Sequence, residues 1–207
     1  DGLPAGFVAS LADAAEAQGK KGQWAIKNTR SSAQPVLQNA TNRALREKVW
    51  RAFVNRGDND DANDTNATIA QILKLRQERA VLLGFPTHAD YRMADTMAKT
   101  PANAMALMMK VWPAAVARVH EEVADMQAIA DAEAKAGKGP KITIEPWDYR
   151  FYAEKVRKAK YDLDEDEIKP YLQLEKLREG MFWVAGELLG FSFSPVTDVP
   201  VYHPDVR

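Results

Sequence analysis

The chain has 207 residues, 46% of them apolar, which is enough to bury a sizeable core in one or two domains. Its 28 basic and 29 acidic side chains give a net charge of −1, and this balance argues against a nucleic-acid-binding protein. The absence of cysteine excludes disulfides, cysteine-ligated zinc fingers and thiol catalysis. Because no signal peptide and no apolar run of membrane-spanning length is recognisable, we expect a cytoplasmic protein.

Short helices are predicted in four places before residue 100. The first lies between residues 4 and 19, and the second starts near residues 41–42 and ends before Gly57. The third starts at Thr65 or Asn66, either of which can cap it, and ends at Gly84. Thr87 is expected to cap the fourth, which runs through Tyr91 and Met97.

A long helix is predicted from Pro101 to about Ala136, with Pro113 expected to kink or split it. Its apolar stripe alternates spacings of four and three: Met105, Met109, Trp112, Val116, Val119, Val123, Met126 and Ala130. A further helix is predicted just after Pro146. A second stripe precedes Gly190, a predicted C-terminal cap: Leu174, Leu177, Met181, Val184 and Leu188.

These patterns predict an all-α fold of long antiparallel helices in a bundle-like arrangement. Short extended segments are expected near residues 23–27 and 191–202, and a subdivision is expected near residues 135–145, where glycine and proline indicate a loop. The chain opens with Asp1 and closes in a proline-containing stretch at Arg207. We therefore expect residues 1–207 to be an internal segment of a longer polypeptide.

His120 begins a near miss for the zinc motif H-E-x-x-H. Zinc needs a second imidazole one turn later, and Ala124 at that position has no ligand atom. His88 and His203 have no ligand spacing to His120. We interpret His120 as a solvated or interhelical polar residue, and we assign no metal ligand and no catalytic residue in this chain.

The polar run at residues 58–66 invites a calcium interpretation. An EF-hand loop needs an oxygen ligand at position five, glycine at six and glutamate at twelve. Counted from Asp58, these positions hold Ala62, Asn63 and Ile69. We predict instead a polar loop whose acidic side chains favour the N-terminus of the next helix.

Four arginines lie on or near one predicted helix: Arg43, Arg46, Arg51 and Arg56. They suit either a clamp for a substrate carboxylate or ion pairs with acids such as Glu47 and Glu78, and we favour the pairs. Glu78 and Arg79 are expected to form buried ion pairs between helices. An aromatic-rich patch suits either a peptide-binding wall or, by default, helix packing: Trp147, Tyr149, Tyr152, Tyr161 and Tyr171. Substrate-binding residues are left unassigned.

Three short patterns follow one another in order along the chain. They are LRQERAVLLGF at residues 75–85, HADY at residues 88–91, and PWD at residues 146–148 followed by Tyr152. Together they resemble the thimet-oligopeptidase and oligopeptidase A family of zinc metallopeptidases, and within it most of all the bacterial peptidyl-dipeptidases, which release dipeptides from peptide C-termini.

The resemblance implies a helical enzyme whose two lobes flank a deep channel for short peptides, with residues 1–207 supplying helices of the channel wall. It also implies zinc in the parent enzyme, held by an H-E-x-x-H helix and a third ligand that match no position of this chain. The implied partners are short peptides and the missing remainder of the polypeptide, with no nucleic acid and no membrane. The groups that read a substrate's C-terminal carboxylate are expected outside this chain.

We therefore interpret the chain as a non-catalytic, channel-wall segment of a zinc metallopeptidase, inactive alone. Two alternatives remain open: an endo-acting oligopeptidase of the same family, and a stand-alone helical binding module. An excised segment should expose apolar surface and should oligomerise or bind dye. Leu83→Asp should cost several kcal/mol by burying an unpaired charge.

Overall fold

The computed structural model describes residues 1–161 and 165–206. This part of the chain contains α-helices, one 3-10 helix at Lys169–Tyr171 and no strand, which confirms the all-α prediction. The α-helices are α1 Ala5–Glu16, α2 Arg30–Asn39, α3 Arg43–Val54, α4 Asn66–Leu82, α5 His88–Met93, α6 Pro101–Lys135, α7 Tyr149–Tyr161, α8 Glu165–Ile168 and α9 Leu174–Leu189. They belong to two compact units, Asp1–Lys160 and Tyr161–Arg207.

Side-chain caps fix the start of three helices. The side chains of Asn42, Thr87 and Thr100 each accept a hydrogen bond from the backbone N–H three residues later, at 3.0, 3.1 and 3.2 Å. Each cap satisfies a donor that has no partner within the helix. The predicted starts of α3, α5 and α6 are therefore confirmed.

Helix α4 begins at Asn66 as predicted, but its cap and the end of α5 differ from the predictions. Thr65 precedes α4 without capping it, because its hydroxyl donates to the Gly57 carbonyl at 3.0 Å, while Asp64 accepts from the Asn66 N–H at 2.9 Å. Helix α5 ends at Met93 and does not reach residue 97. The Thr96 hydroxyl donates to the Met93 carbonyl at 2.9 Å and so satisfies an acceptor at the helix end.

Helix α2 was missed in the sequence because Pro35 lies inside it and polar residues surround that proline. Tertiary packing overrides this weak local preference. Val36 and Leu37 are buried and form one core of the first unit together with Val49 of α3, while Leu3, Phe7 and Ile26 pack against its edge.

A second core joins α6 and α7. Met126 and Ala130 of α6 are buried with Tyr152 of α7, and Ile142 and Ile144 from the connecting segment pack against them. Gln127 holds that segment in place, since its side-chain amide donates to the Ile142 carbonyl at 2.8 Å and accepts from the Ile144 N–H at 3.0 Å. The C-terminal third of α6 is thus firmly packed.

The rest of α6 is exposed. The helix runs unbroken through Pro113, so the proline does not split it. Its apolar stripe changes environment along its length: Met109 and Trp112 are 54% and 63% exposed, whereas Met126 is 2% exposed. A single amphipathic stripe therefore has a buried end and an uncovered beginning.

Helix α4 is similarly uncovered. Ala80 is its one buried residue, and Leu83, which follows the helix, is half exposed. The expected buried ion pairs of Glu78 and Arg79 are wrong, since both side chains are exposed and Glu78 instead approaches Lys74 at 3.9 Å. Because Leu83 already contacts solvent, the expected cost of Leu83→Asp in this chain falls from several kcal/mol to a small fraction of that.

The second unit contains α8, the 3-10 helix and α9. Helix α9 ends as predicted at Gly190, whose φ of 68° is left-handed and whose N–H donates to the Gly186 carbonyl at 2.9 Å. Phe193 in the following irregular segment stacks on Phe182 of α9, with ring centroids 4.3 Å apart. No helix in the described ranges is long and apolar enough to span a bilayer.

Candidate functional site

A cluster of charged side chains in the first unit surrounds Asp148. This residue follows the connecting segment, and its side chain is fully buried. Its two oxygens accept from Arg43 at 3.1, 3.0 and 2.7 Å, and one of them accepts from Nη2 of Arg46 at 2.8 Å. The backbone N–H of Glu145 donates to Asp148 at 3.2 Å. The carboxylate thereby links α3 to the start of α7.

Arg46 is buried almost as deeply as Asp148, with 2% of the residue exposed. Its Nη1 donates to the Ala40 and Thr41 carbonyls at 2.8 and 3.2 Å, and its guanidinium carbon lies 4.1 Å from the centroid of the Phe151 ring. Its Nε is buried without a hydrogen-bond partner. Arg43 reaches the same carboxylate from a partly exposed position.

These contacts keep Asp148 ionised. Burial opposes its ionisation, but the hydrogen bonds from Arg43, Arg46 and the Glu145 backbone outweigh burial and lower the pKa of Asp148 below its ordinary value of 3.8. The same hydrogen bond to Asp148 raises the pKa of Arg43. Such a mutually neutralised group is suited to holding helices together.

The interpretation of the four arginines as ion-pair partners is confirmed for three of them. Arg43 and Arg46 pair with Asp148, and Arg51 pairs with Glu47 at 2.8 Å. Arg56 donates to the Asn28 carbonyl at 3.1 Å. Asp148 could not be recognised as their partner from local patterns, because it lies 102 residues from Arg46. The guanidinium groups of Arg43 and Arg46 thus already hold a carboxylate of this chain.

An open groove of about 540 Å³ lies beside this cluster. Trp50 and Tyr149 are its aromatic walls, and Glu145 and Arg150 place opposite charges at it. The Tyr149 hydroxyl donates to Glu122 at 2.8 Å, and this hydrogen bond raises the pKa of Tyr149. An apolar groove with a few polar groups suits an amino-acid side chain.

The aromatic residues of the predicted patch lie in different environments. Tyr149 lines the groove, but Tyr152 is buried in the second core, where its hydroxyl donates to Glu133 at 3.3 Å. Trp147 packs edge-on against Trp50, with ring centroids 5.7 Å apart. Tyr161 and Tyr171 belong to the second unit and are exposed. Helix packing, the default interpretation, therefore accounts for Trp147 and Tyr152.

The three histidines do not come together with acids as a metal site. His120 is exposed on α6, where Glu121 and Glu122 pair with Arg118. His203 lies 3.5 Å from Asp205. The described residues contain no group of three side chains of the metal-binding types, so they do not fit a zinc ion.

The acidic loop before α4 is a hydrogen-bonded connection between helices, as predicted. Asp64 accepts from the backbone N–H groups of Asn66 and Asp60 at 2.9 and 3.1 Å, and these bonds lower the pKa of Asp64. Asp58 accepts from the Asn66 amide at 2.7 Å. The carboxylates thus serve the turn and the start of α4.

Residues 36–207 match the sequence profile of peptidase family M3. The chain belongs to this family. It is 43% identical over 201 residues to the dipeptidyl carboxypeptidase of Escherichia coli (strain K12), an alignment that covers 97% of the chain and 29% of that protein. It is 41% identical over 207 residues to the dipeptidyl carboxypeptidase of Salmonella typhimurium (strain LT2), covering 100% of the chain and 30% of that protein.

A plant member of the M3 family is also similar. The organellar oligopeptidase A of Arabidopsis thaliana is 37% identical over 218 residues, covering 100% of this chain and 26% of that protein. The resemblance identified from the sequence is therefore confirmed. The M3 chain described here spans about 30% of the length of the relatives that it matches.

Proposed function

We propose that residues 1–207 are a non-catalytic, channel-wall segment of a zinc metallopeptidase that hydrolyses short peptides and releases C-terminal dipeptides. The observation that carries the proposal is the similarity to two bacterial dipeptidyl carboxypeptidases, which extends over 97% and 100% of the chain but over only 29% and 30% of those proteins. The partners of the segment are then the remainder of the polypeptide and the peptide substrate.

The exposed apolar side chains support a segment that other helices cover. On α6 alone the exposed set includes Met105, Leu107, Met108, Met109, Val111, Trp112 and Val119. Free monomeric proteins rarely leave a contiguous apolar surface of this kind uncovered. The remaining part of a protein about three times as long can supply the cover.

Zinc enters the proposal only through the parent enzyme. The metal would polarise the scissile carbonyl and activate a water. Since the described residues do not fit the metal, the contribution of this segment is to shape and support the peptide channel. The subdivision expected near residues 135–145 and the cytoplasmic location belong to the same proposal.

Two alternatives have specific support. An endo-acting oligopeptidase is favoured by the 37% identity to an oligopeptidase A. A stand-alone binding module is favoured by the groove beside Trp50 and Tyr149, which is complete within the first unit.

The test is to express both the 207-residue chain and the complete reading frame that contains it, and to assay each with peptides of four to ten residues. We expect the complete polypeptide to carry zinc, to release C-terminal dipeptides and to lose this activity with a chelator. We expect the 207-residue chain to release nothing. Internal cleavage by the complete polypeptide would favour the endo-acting alternative, and activity with stoichiometric zinc in the 207-residue chain would refute the proposal.

A further inference from the structure

Helices α4 and α5 of the first unit form a tight corner. The Gln77 side chain of α4 donates to the Pro86 carbonyl at 2.9 Å and accepts from the His88 N–H at 3.3 Å, so it fixes the turn between the helices. The Tyr91 ring of α5 packs edge-on against Phe85, with centroids 5.4 Å apart. The corner therefore has a defined geometry although most of α4 is exposed.

Three guanidinium groups project from this corner without a carboxylate partner. Arg76 and Arg79 are one helical turn apart on α4, and Arg92 belongs to α5. All three side chains are exposed, and none pairs with an acid of the described residues. The guanidinium carbon of Arg79 lies 5.3 Å from the centroid of the Tyr91 ring, and this contact orients it.

His88 lies among these positive charges. Its ring centroid is 6.2 Å from that of Tyr91, and its Nδ1 is buried without a hydrogen-bond partner. Partial desolvation lowers the pKa of His88, and the charges of the three arginines lower it further. The described charges that act on His88 are therefore all positive, since Glu78 of α4 lies near Lys74 and Asp90 of α5 accepts from the Thr87 hydroxyl.

The arginines of α3 and those of the corner differ in whether a carboxylate of this chain pairs with them. The guanidinium groups of Arg43, Arg46 and Arg51 already hold carboxylates of this chain, whereas those of the corner do not. Guanidinium groups bind carboxylates through paired hydrogen bonds, and several of them around one point make the preferred environment for such an anion.

We propose that Arg76, Arg79 and Arg92 form a receptor for the C-terminal carboxylate of a peptide. Exposed Ile72 of α4 and Leu83, which follows the helix, lie four residues from Arg76 and Arg79 respectively, and they can contact the peptide's last side chain. The inference rests on the proposed function and deepens it, because it assigns a carboxylate-reading group to this chain, where the sequence led us to expect none.

The experiment uses proton–nitrogen NMR of the 207-residue chain, which has three histidines. His88 is titrated with and without a tetrapeptide at constant ionic strength. A bound carboxylate offsets the arginine charges, so the pKa of His88 should rise while His120 and His203 do not change. The tetrapeptide C-terminal amide should leave all three histidines unchanged.

Variants identify the receptor. Arg76→Gln and Arg79→Gln should each weaken the affinity for the peptide, followed through the His88 shift, about fivefold. This is the factor expected for an exposed ion pair. Arg30→Gln is the matched control, because Arg30 is an exposed arginine of α2, outside the corner and outside the groove, and it should change nothing. In the complete polypeptide, Arg76→Gln should raise KM for the peptide acid and leave KM for the amide unchanged.

Three results would overturn the proposal. The peptide acid and the peptide amide could shift the pKa of His88 equally, or the peptide acid could shift it no more than acetate does. The acid could also shift it more than the amide, but by an amount that Arg76→Gln and Arg79→Gln do not reduce. Arg76→Gln could instead lower the melting temperature of the complete polypeptide without any change in KM. Arg76 would then pair with a carboxylate of the polypeptide itself and not with that of a peptide, and the receptor would be refuted. A complete polypeptide that cleaves peptides without the His88 shift contradicts the receptor alone. Binding without hydrolysis contradicts the proposed function alone.

Discussion

The buried carboxylate of Asp148 shows how a few residues hold two distant parts of the first unit together. An isolated buried charge is unfavourable, and the protein compensates it with two guanidinium groups and a backbone N–H. Arg46 in turn needs the carboxylate, because 2% exposure leaves it almost no access to water. Removing Asp148 therefore leaves Arg46 buried without a counter-charge.

Asp148→Asn should destabilise the first unit by about 3 kcal/mol or more, since it leaves Arg46 buried without a full counter-charge. The measurement is urea unfolding followed by tryptophan fluorescence in a Trp183→Phe background, which restricts the signal to tryptophans of the first unit. Glu47→Gln is the control, because the exposed Arg51–Glu47 pair should contribute less than about 1 kcal/mol. Equal effects of the two variants would refute a stabilising role for Asp148.

The same cluster makes the free energy of unfolding depend on pH. The pKa of Asp148 in the folded chain lies below its ordinary value of 3.8. The unfolded chain therefore binds the proton more readily, and the stabilisation is present above about pH 4 and is lost as pH falls through the folded pKa. Urea midpoints measured from pH 6 downward should fall less steeply in Asp148→Asn than in the parent chain. Parallel profiles would show that other groups govern the acid response.

At the scale of helices, the sequence predicts elements well where a cap and an apolar stripe agree. Helices α3, α6 and α9 combine such signals at Asn42, Pro101 and Gly190. Helix α2 has no such signal, because burial of Val36 and Leu37 stabilises it against the effect of Pro35. Periodicity also identifies an apolar face without showing what covers that face, and this explains the incorrect expectation for Leu83.

The two ends of the α6 stripe should respond differently to truncation. Met126→Ala removes a side chain that is 2% exposed and should cost about 2–5 kcal/mol. Met105→Ala truncates a side chain on the same stripe that is 51% exposed, and it should cost less than about 0.5 kcal/mol. Urea unfolding in the Trp183→Phe background compares the free energies of unfolding of the two variants. A large cost at Met105 in the 207-residue chain would mean that the beginning of α6 is covered.

At the scale of the whole molecule, sequence patterns predicted the all-α class and the family, and composition excluded several functions. The Arg43–Arg46–Asp148 cluster could not be predicted, because Asp148 is more than 100 residues from both arginines and no local pattern pairs them. The corner of Arg76, Arg79 and Arg92 was missed for a similar reason, since it depends on how α5 packs against α4.

The exposed apolar side chains also predict how the 207-residue chain behaves alone. Much of α4, α6 and α9 presents large apolar groups to solvent. We expect the chain to bind a fluorescent apolar dye and to oligomerise as its concentration rises. A dye-silent monomer across the range tested by light scattering would argue for the stand-alone module.

We propose that this M3 chain is one part of a larger peptidase whose other helices cover α6. Methionine oxidation by hydroxyl radicals, read by mass spectrometry, tests it directly when the 207-residue chain is compared with the polypeptide encoded by the complete reading frame. We predict that Met105 and Met109 oxidise readily in the short chain and are protected in the complete polypeptide, while Met126 is protected in both. Equal oxidation of Met109 in the two proteins would show that the rest of the complete polypeptide does not cover α6.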